Sequence, residues 1–251
     1  SCRKSRTMPP QARALDAVAM LKGIDADVRF EVDSVDGVPA LDANGQIAAD
    51  TLEAGGITAR ALAGQVRGRG TELHIDDFTS DLLGGRLVGR AGIGVLERGW
   101  PVRLSADLRE IDLGVFTDEF QPPQVVLTGQ VSGSAAVRLT TAKLEDFEVH
   151  LVAEKGITLN RDMVEQILLS QQVAGMTGGK TLSNVVERVI GETEQRPFER
   201  AHMDLGLEGG RITGQAVLQS ERLNLTIDIK ADPEALLEAL RIRRQQVSNA
   251  R

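Results

Sequence analysis

The sequence predicts a mainly β protein, built on an antiparallel sheet with one long apolar face, an inserted helical hairpin and short helices at both ends. Three observations carry that expectation. Apolar residues recur with a period of two over most of the 251 residues, as in strands that bury one face. Glycine pairs and an Asn-Gly pair punctuate the alternation where hairpins would turn. Helical spacing is confined to three stretches.

The first of these is 10–22, where Pro9-Pro10 suits a helix start and Gly23 a stop, so residues 1–24 read as a linker and helix. Residues 25–230 read as the β domain. Over 26–33, Ala26, Val28, Phe30 and Val32 alternate with Asp27, Arg29, Glu31 and Asp33, which predicts a half-buried strand. Asn44-Gly45 predicts a type I′ hairpin joining 38–43 to 46–53. Weaker strands follow at 57–67 and 71–78. Stretch 86–95 presents Leu87, Ala91, Ile93 and Val95 on one face, and 101–109 presents Val102, Leu104, Ala106 and Leu108. Residues 110–121 break the pattern, and strands resume at 124–140 and 144–153.

The second helical stretch is 160–191. Asn160 is the expected N-cap, with Met163, Val164, Ile167 and Leu168 at helical spacing. Gly175, Gly178 and Gly179 end that helix, and Leu182, Val185, Val186, Val189 and Ile190 form the stripe of a second. The hairpin interrupts a β pattern, so Ile167, Leu168, Val185, Val186 and Val189 are expected to lid or plug the apolar face, or to complete its core. Strands return at 201–208, with Leu205 and Leu207 on one face, and at 211–219, across a Gly209-Gly210 turn. Stretch 221–230 alternates most regularly, setting Leu223, Leu225, Ile227 and Ile229 against Arg222, Asn224, Thr226, Asp228 and Lys230. The third helical stretch opens residues 231–251, with Asp232 as N-cap and Pro233 in its first turn, and ends in a basic tail through Arg241, Arg243 and Arg244.

The composition excludes several classes of function. Aromatic residues make up 3% of the chain, with no Tyr and a single Trp, which counts against sugar- and nucleic-acid-binding surfaces that stack ligands on rings. The net charge of −7, with no basic stripe, fits a phosphate-backbone binder poorly. Cys2 is the one cysteine, so no internal disulfide can form, and an incidental Cys in a frayed end is the expected reading over a lipidated one. No apolar run approaches the roughly 20 residues of a membrane helix. The abrupt start at Ser1-Cys2-Arg3-Lys4 suggests a processed form or a fragment of something longer.

A search for chemistry returns little. His74, His150 and His202 sit in strand patterns without metal-ligand spacing, and read as surface or sheet histidines. No G-x-S-x-G occurs. The run GGRLVGRAGIG at 84–94 lacks the Lys-Ser/Thr of a phosphate loop and reads as a turn. Asp76, Asp77 and Asp81 read as solvated turn residues. Asn224-Leu225-Thr226 matches a glycosylation sequon by letter only. No enzyme, cofactor or metal is expected.

Two passages are alike: Gly84-Gly85-Arg86-Leu87-Val88-Gly89-Arg90-Ala91 and Gly209-Gly210-Arg211-Ile212-Thr213-Gly214-Gln215-Ala216. Each reads as a tight turn launching a strand. The longer run 71–95, TELHIDDFTSDLLGGRLVGRAGIGV, resembles the C-terminal region of bacterial AsmA-like envelope proteins, a superfamily that includes TamB-like and YdbH-like members. Asp81, Leu82, Gly84, Gly85, Leu87 and Gly89 fit its "D-L-x-G-G-x-L-x-G" phrase, 107–116 looks like its next segment, and 209–230 reads like its closing strands. The likeness spans most of 26–230. It implies a strongly bent, taco-like sheet whose apolar groove takes phospholipid or another acyl-chain lipid, in the periplasm, with a tether to a membrane and envelope membrane proteins as further partners. Val28, Phe30, Val32, Leu87, Ile93, Val102, Leu104, Leu108, Leu205, Leu207, Leu223, Leu225, Ile227 and Ile229 would line that groove. The family has no catalytic residues to carry over. A structural β domain for envelope protein contacts or outer-membrane assembly is the other reading.

Overall fold

The computed structural model describes residues 19–35, 38–54, 57–120, 126–140, 143–163, 195–221 and 223–235. They form thirteen strands and one short helix: β1 (Ala19–Val35), β2 (Val38–Ala54), β3 (Ile57–Gly70), β4 (Glu72–Leu82), β5 (Gly85–Ile93), β6 (Val102–Asp112), α1 (Leu113–Phe120), β7 (Leu127–Leu139), β8 (Leu144–Ala153), β9 (Ile157–Asn160), β10 (Gln195–Phe198), β11 (Arg200–Glu208), β12 (Arg211–Ser220) and β13 (Leu223–Ala231). Strands β1 to β8 pair in chain order, β11 follows β8, and β12 and β13 complete an antiparallel meander. The sheet is not closed: among the described residues β1 and β13 each pair on one side only. The short strands β9 and β10 pair with each other, and β9 also pairs with the start of β7.

The register explains the sequence pattern. Phe30, Ala43, Gly68 and Leu73 are successive partners across β1 to β4, as are Ala91, Leu104 and Val137 across β5 to β7. Leu151, Met203, Ala216 and Ile227 do the same across β8 to β13. One side of the whole sheet is therefore apolar. Bulges keep it so where the alternation slips. At Leu108-Arg109-Glu110-Ile111, two polar residues stand between apolar ones, and a register shift with Glu110 at φ 53° returns Ile111 to the apolar side, opposite Val131. Asp77, at φ 49°, marks the equivalent shift between Ile75 and Phe78.

Glycines lie on this side where the next strand comes close. A Cβ at Gly133 would stand 1.8 Å from the His150 carbonyl oxygen, and one at Gly214 would stand 1.9 Å from that of Asp204. No side chain fits either position.

Several sequence expectations need correction. Asn44-Gly45 is not a hairpin but the middle of β2, paired with Arg29 and Val28 on one side and with Arg67 and Val66 on the other. The chain reverses instead between the paired Val35 and Val38. The helix expected at 10–22 does not extend past 18: Ala19–Lys22 are already strand, paired with Thr51–Ala54, and Gly23, at φ 63°, lies within β1. Residues 10–18 lie outside the described residues. Strand β1 is not half-buried. Phe30 is 70% exposed, Val32 57% and Ile24 56%, because β1 is an edge strand that no described element covers. Asp76 and Asp77 lie in the β4 bulge, within a strand and not a turn. In the first of the two like passages the reversal falls at Leu83-Gly84, with φ 47° and 74°, and Gly85 already pairs with Leu82. In the second it is Gly209-Gly210, as expected, with φ 56° and 79°.

Candidate functional site

The apolar side of the sheet has a covered end and an uncovered end. The cover is built from short elements. Asp112 accepts hydrogen bonds from the backbone N–H groups of Gly114 (2.7 Å) and Val115 (3.4 Å), capping the start of α1. Leu113 and Phe116 then project toward the sheet, and Phe120 stacks beside Phe116 at 5.1 Å between centroids. Thr117 is buried, with its hydroxyl 2.7 Å from the Leu113 carbonyl and 2.9 Å from that of Leu127, where it ties α1 to β7. The ladder β9–β10 forms the rest of the cover, and its Ile157, Leu159 and Phe198 are among the most buried side chains of the core. Asn160 closes it: its Oδ1 accepts from the N–H groups of Val126 and Met163, both at 3.0 Å.

Between cover and sheet lies a cavity of about 450 Å³, within the roughly 300–1,000 Å³ of small-molecule sites. The sheet contributes Leu108, Leu151, Met203, Ala216 and Ile227, and the cover contributes Leu113, Phe116, Leu159 and Met163. The walls present no polar surface. Such walls suit hydrocarbon and offer a polar ligand few partners. A second group of buried side chains, Ala49, Leu62, Phe78 and Ala106, lies further along the same side.

All fourteen strand residues expected on the apolar side share it by register. Leu108 and Ile227 line the cavity, and Leu225 packs beside it. Leu87 and Leu104 pack on the Ala49–Phe78 group. Ile93 and Val102 pair with each other near the uncovered end, and Leu205, Leu207 and Ile229 are half-buried along β11 and β13. Val28, Phe30 and Val32 lie apart from the cavity on the β1 edge, and Leu223 begins β13 at the covered end. Ile167, Leu168, Val185, Val186 and Val189 lie outside the described residues. The cavity residues of α1 and β9, and the buried Phe198 of β10, went unread in the sequence. For α1 a signal existed: Asp112 as N-cap, with Leu113, Phe116 and Phe120 at helical spacing.

The opposite side carries charge in exposed, weak pairs. His150 Nδ1 meets Asp204 Oδ1 at 2.6 Å, with both side chains 58% exposed, and Gln215 donates to Asp228 at 2.9 Å. Arg103 donates to Glu72; that hydrogen bond, and then the carboxylate charge, hold the guanidinium above its ordinary pKa. Among the described residues no three His, Cys, Asp or Glu side chains are placed to hold a metal ion. No family model, curated protein or solved structure matches the chain.

Proposed function

We propose that this protein is a non-catalytic lipid-binding domain of the bacterial envelope, contributing to phospholipid movement between the inner and outer membranes. The observation that carries the reading is the apolar cavity, continuous with a sheet side that stays apolar from β1 to β13. Acyl chains suit it, since each buried CH₂ contributes about 0.8 kcal/mol and needs no polar partner. A wall without hydrogen-bonding groups holds a chain without fixing its depth, which favours sliding over tight storage. The close approaches at Gly133 and Gly214 lie on the apolar side. Close backbone approaches of this kind suit the curvature a taco-like groove requires. The strands are also long: β1 and β2 have 17 residues each, about 55 Å when extended. The resemblance of 71–95 to AsmA-like proteins points the same way, and with it to a periplasmic location and a membrane tether.

Organic extraction of the purified protein, followed by mass spectrometry, tests the reading. Stoichiometric phospholipid is expected, and a lipid-free protein from a membrane-containing lysate would count decisively against it.

One observation favours the second reading, a scaffolding domain for envelope proteins. Strand β1 exposes Ile24, Phe30 and Val32 beside a backbone edge that no described strand pairs with, which a partner strand could extend. Partner capture with no bound lipid would favour that role.

A further inference from the structure

We propose that the loop joining β5 to β6, residues 94–101, is a membrane-docking element that seats the uncovered end of the sheet on an anionic lipid surface through Leu96 and Trp100. The inference rests on the lipid reading above and names the surface from which lipid would enter.

The loop presents the right side chains. Trp100 is 59% exposed and Leu96 39%, and both belong to one short connection. An indole with an apolar body and one N–H donor is the side chain best suited to the headgroup boundary. The exposure is built in. Trp100 sits at φ 47°, a conformation rare for a bulky residue, and Gly99 before it is at φ 86°. The surrounding backbone holds that shape: Gly94 N donates to the Pro101 carbonyl at 2.9 Å, Glu97 N to that of Gly94 at 3.1 Å, and Trp100 N to that of Glu97 at 3.3 Å. Leu96 N reaches across to the Thr71 carbonyl at 3.3 Å, which anchors the loop to the β3–β4 reversal.

The position is also right. The loop follows Ile93 and precedes Val102, which pair on the apolar side at the end away from α1 and β9–β10. A bilayer met there faces the open mouth of the apolar side and not its cover.

Charge supplies the sign of the surface. The loop's acid, Glu97, is turned back to accept a 2.9 Å hydrogen bond from the Thr71 hydroxyl, while Arg98 is exposed. Strand β13 ends at this same end of the sheet, and residues 241–251 of the chain that leaves it carry Arg241, Arg243, Arg244 and Arg251 with no Asp or Glu. A sequence that continues into a basic segment from the end that carries an apolar anchor suits anionic lipid.

Trp100 is the only tryptophan and the chain has no tyrosine, so its emission reports on this loop alone. The full chain is titrated with vesicles of phosphatidylcholine and phosphatidylglycerol, and with phosphatidylcholine alone. A blue shift and quenching by brominated acyl chains are expected with the mixed vesicles, and weaker effects with the neutral ones. Leu96→Ser, which keeps the fluorophore, and Trp100→Ser, followed by sedimentation, should each bind the mixed vesicles about tenfold more weakly or worse. Both should keep the wild-type far-UV spectrum and the wild-type content of co-purified phospholipid. Unshifted emission, or variants that sediment like the wild type, overturns the docking role, as would a loop that captures protein while ignoring vesicles. A lipid-loaded chain without a shift removes docking alone. A lipid-free chain that still shifts on vesicles removes the groove reading and leaves docking standing.

Discussion

Ala216 and Ile227 are register partners on neighbouring strands, and both line the cavity. They separate volume from polarity. Ala216→Leu adds three carbons to a space that can accept them, so the protein should stay folded while its phospholipid content falls in extraction. Ile227→Asp places a carboxylate in an apolar wall at a cost of several kcal/mol, and should lose lipid or unfold. Arg90→Glu, on the exposed side of β5, should do neither. If all three variants retain the same lipid, the cavity is not the binding site. Single residues also show where local reading fails. Asn44-Gly45 has the chemistry of a turn, yet a Cβ at Gly45 would stand 2.0 Å from the Asp27 carbonyl oxygen. The glycine serves a neighbouring strand, and sequence does not say which of its two uses applies. At Glu110 the opposite holds: two adjacent polar residues in an alternating run were a legible bulge signal.

Short elements were the least legible, and they make the cover. Four-residue strands such as β9 and β10 carry too few alternations to read, and they pair across 34 intervening residues, from Asn160 to Gln195. What sequence did locate was the cap. Asn160 satisfies two backbone N–H groups, so Asn160→Ala should lower Tm by roughly 2–8 °C, measured against wild type by calorimetry. Because Asn160 and Gln195 are paired neighbours, the two ends that segment 161–194 connects lie at one place. Replacing 161–194 with a short Gly/Ser linker should therefore keep a cooperative fold and change the lipid content. A molten or insoluble product would show that this segment, which contains Ile167, Leu168, Val185, Val186 and Val189, completes the core and is no lid.

At the scale of the whole molecule, the sheet was legible because each strand carries its own record of an inner and an outer side. Most boundaries within 57–153 and 201–231 fell within a few residues of the sequence reading, since bulges shift register without erasing alternation. The far-UV spectrum should accordingly be dominated by strand; a helix-dominated spectrum would contradict the fold. The extent of cover was not legible. A strand of alternating residues looks the same whether its apolar side meets a neighbour, as at Leu218, 5% exposed, or solvent, as at Phe30, 70% exposed.

The meander has one more consequence. Apart from the excursion through β9 and β10, every strand finds its partner in the segment just made. A chain delivered end-first, through a ribosome or a translocation pore, can lay down each strand on the last without waiting for distant sequence. The same order makes the architecture modular along the sheet. Duplicating or deleting a hairpin widens or narrows it by two strands and leaves every other pairing intact, as in stacked-repeat proteins. Capacity can thus evolve by copying length, without redesign of a core.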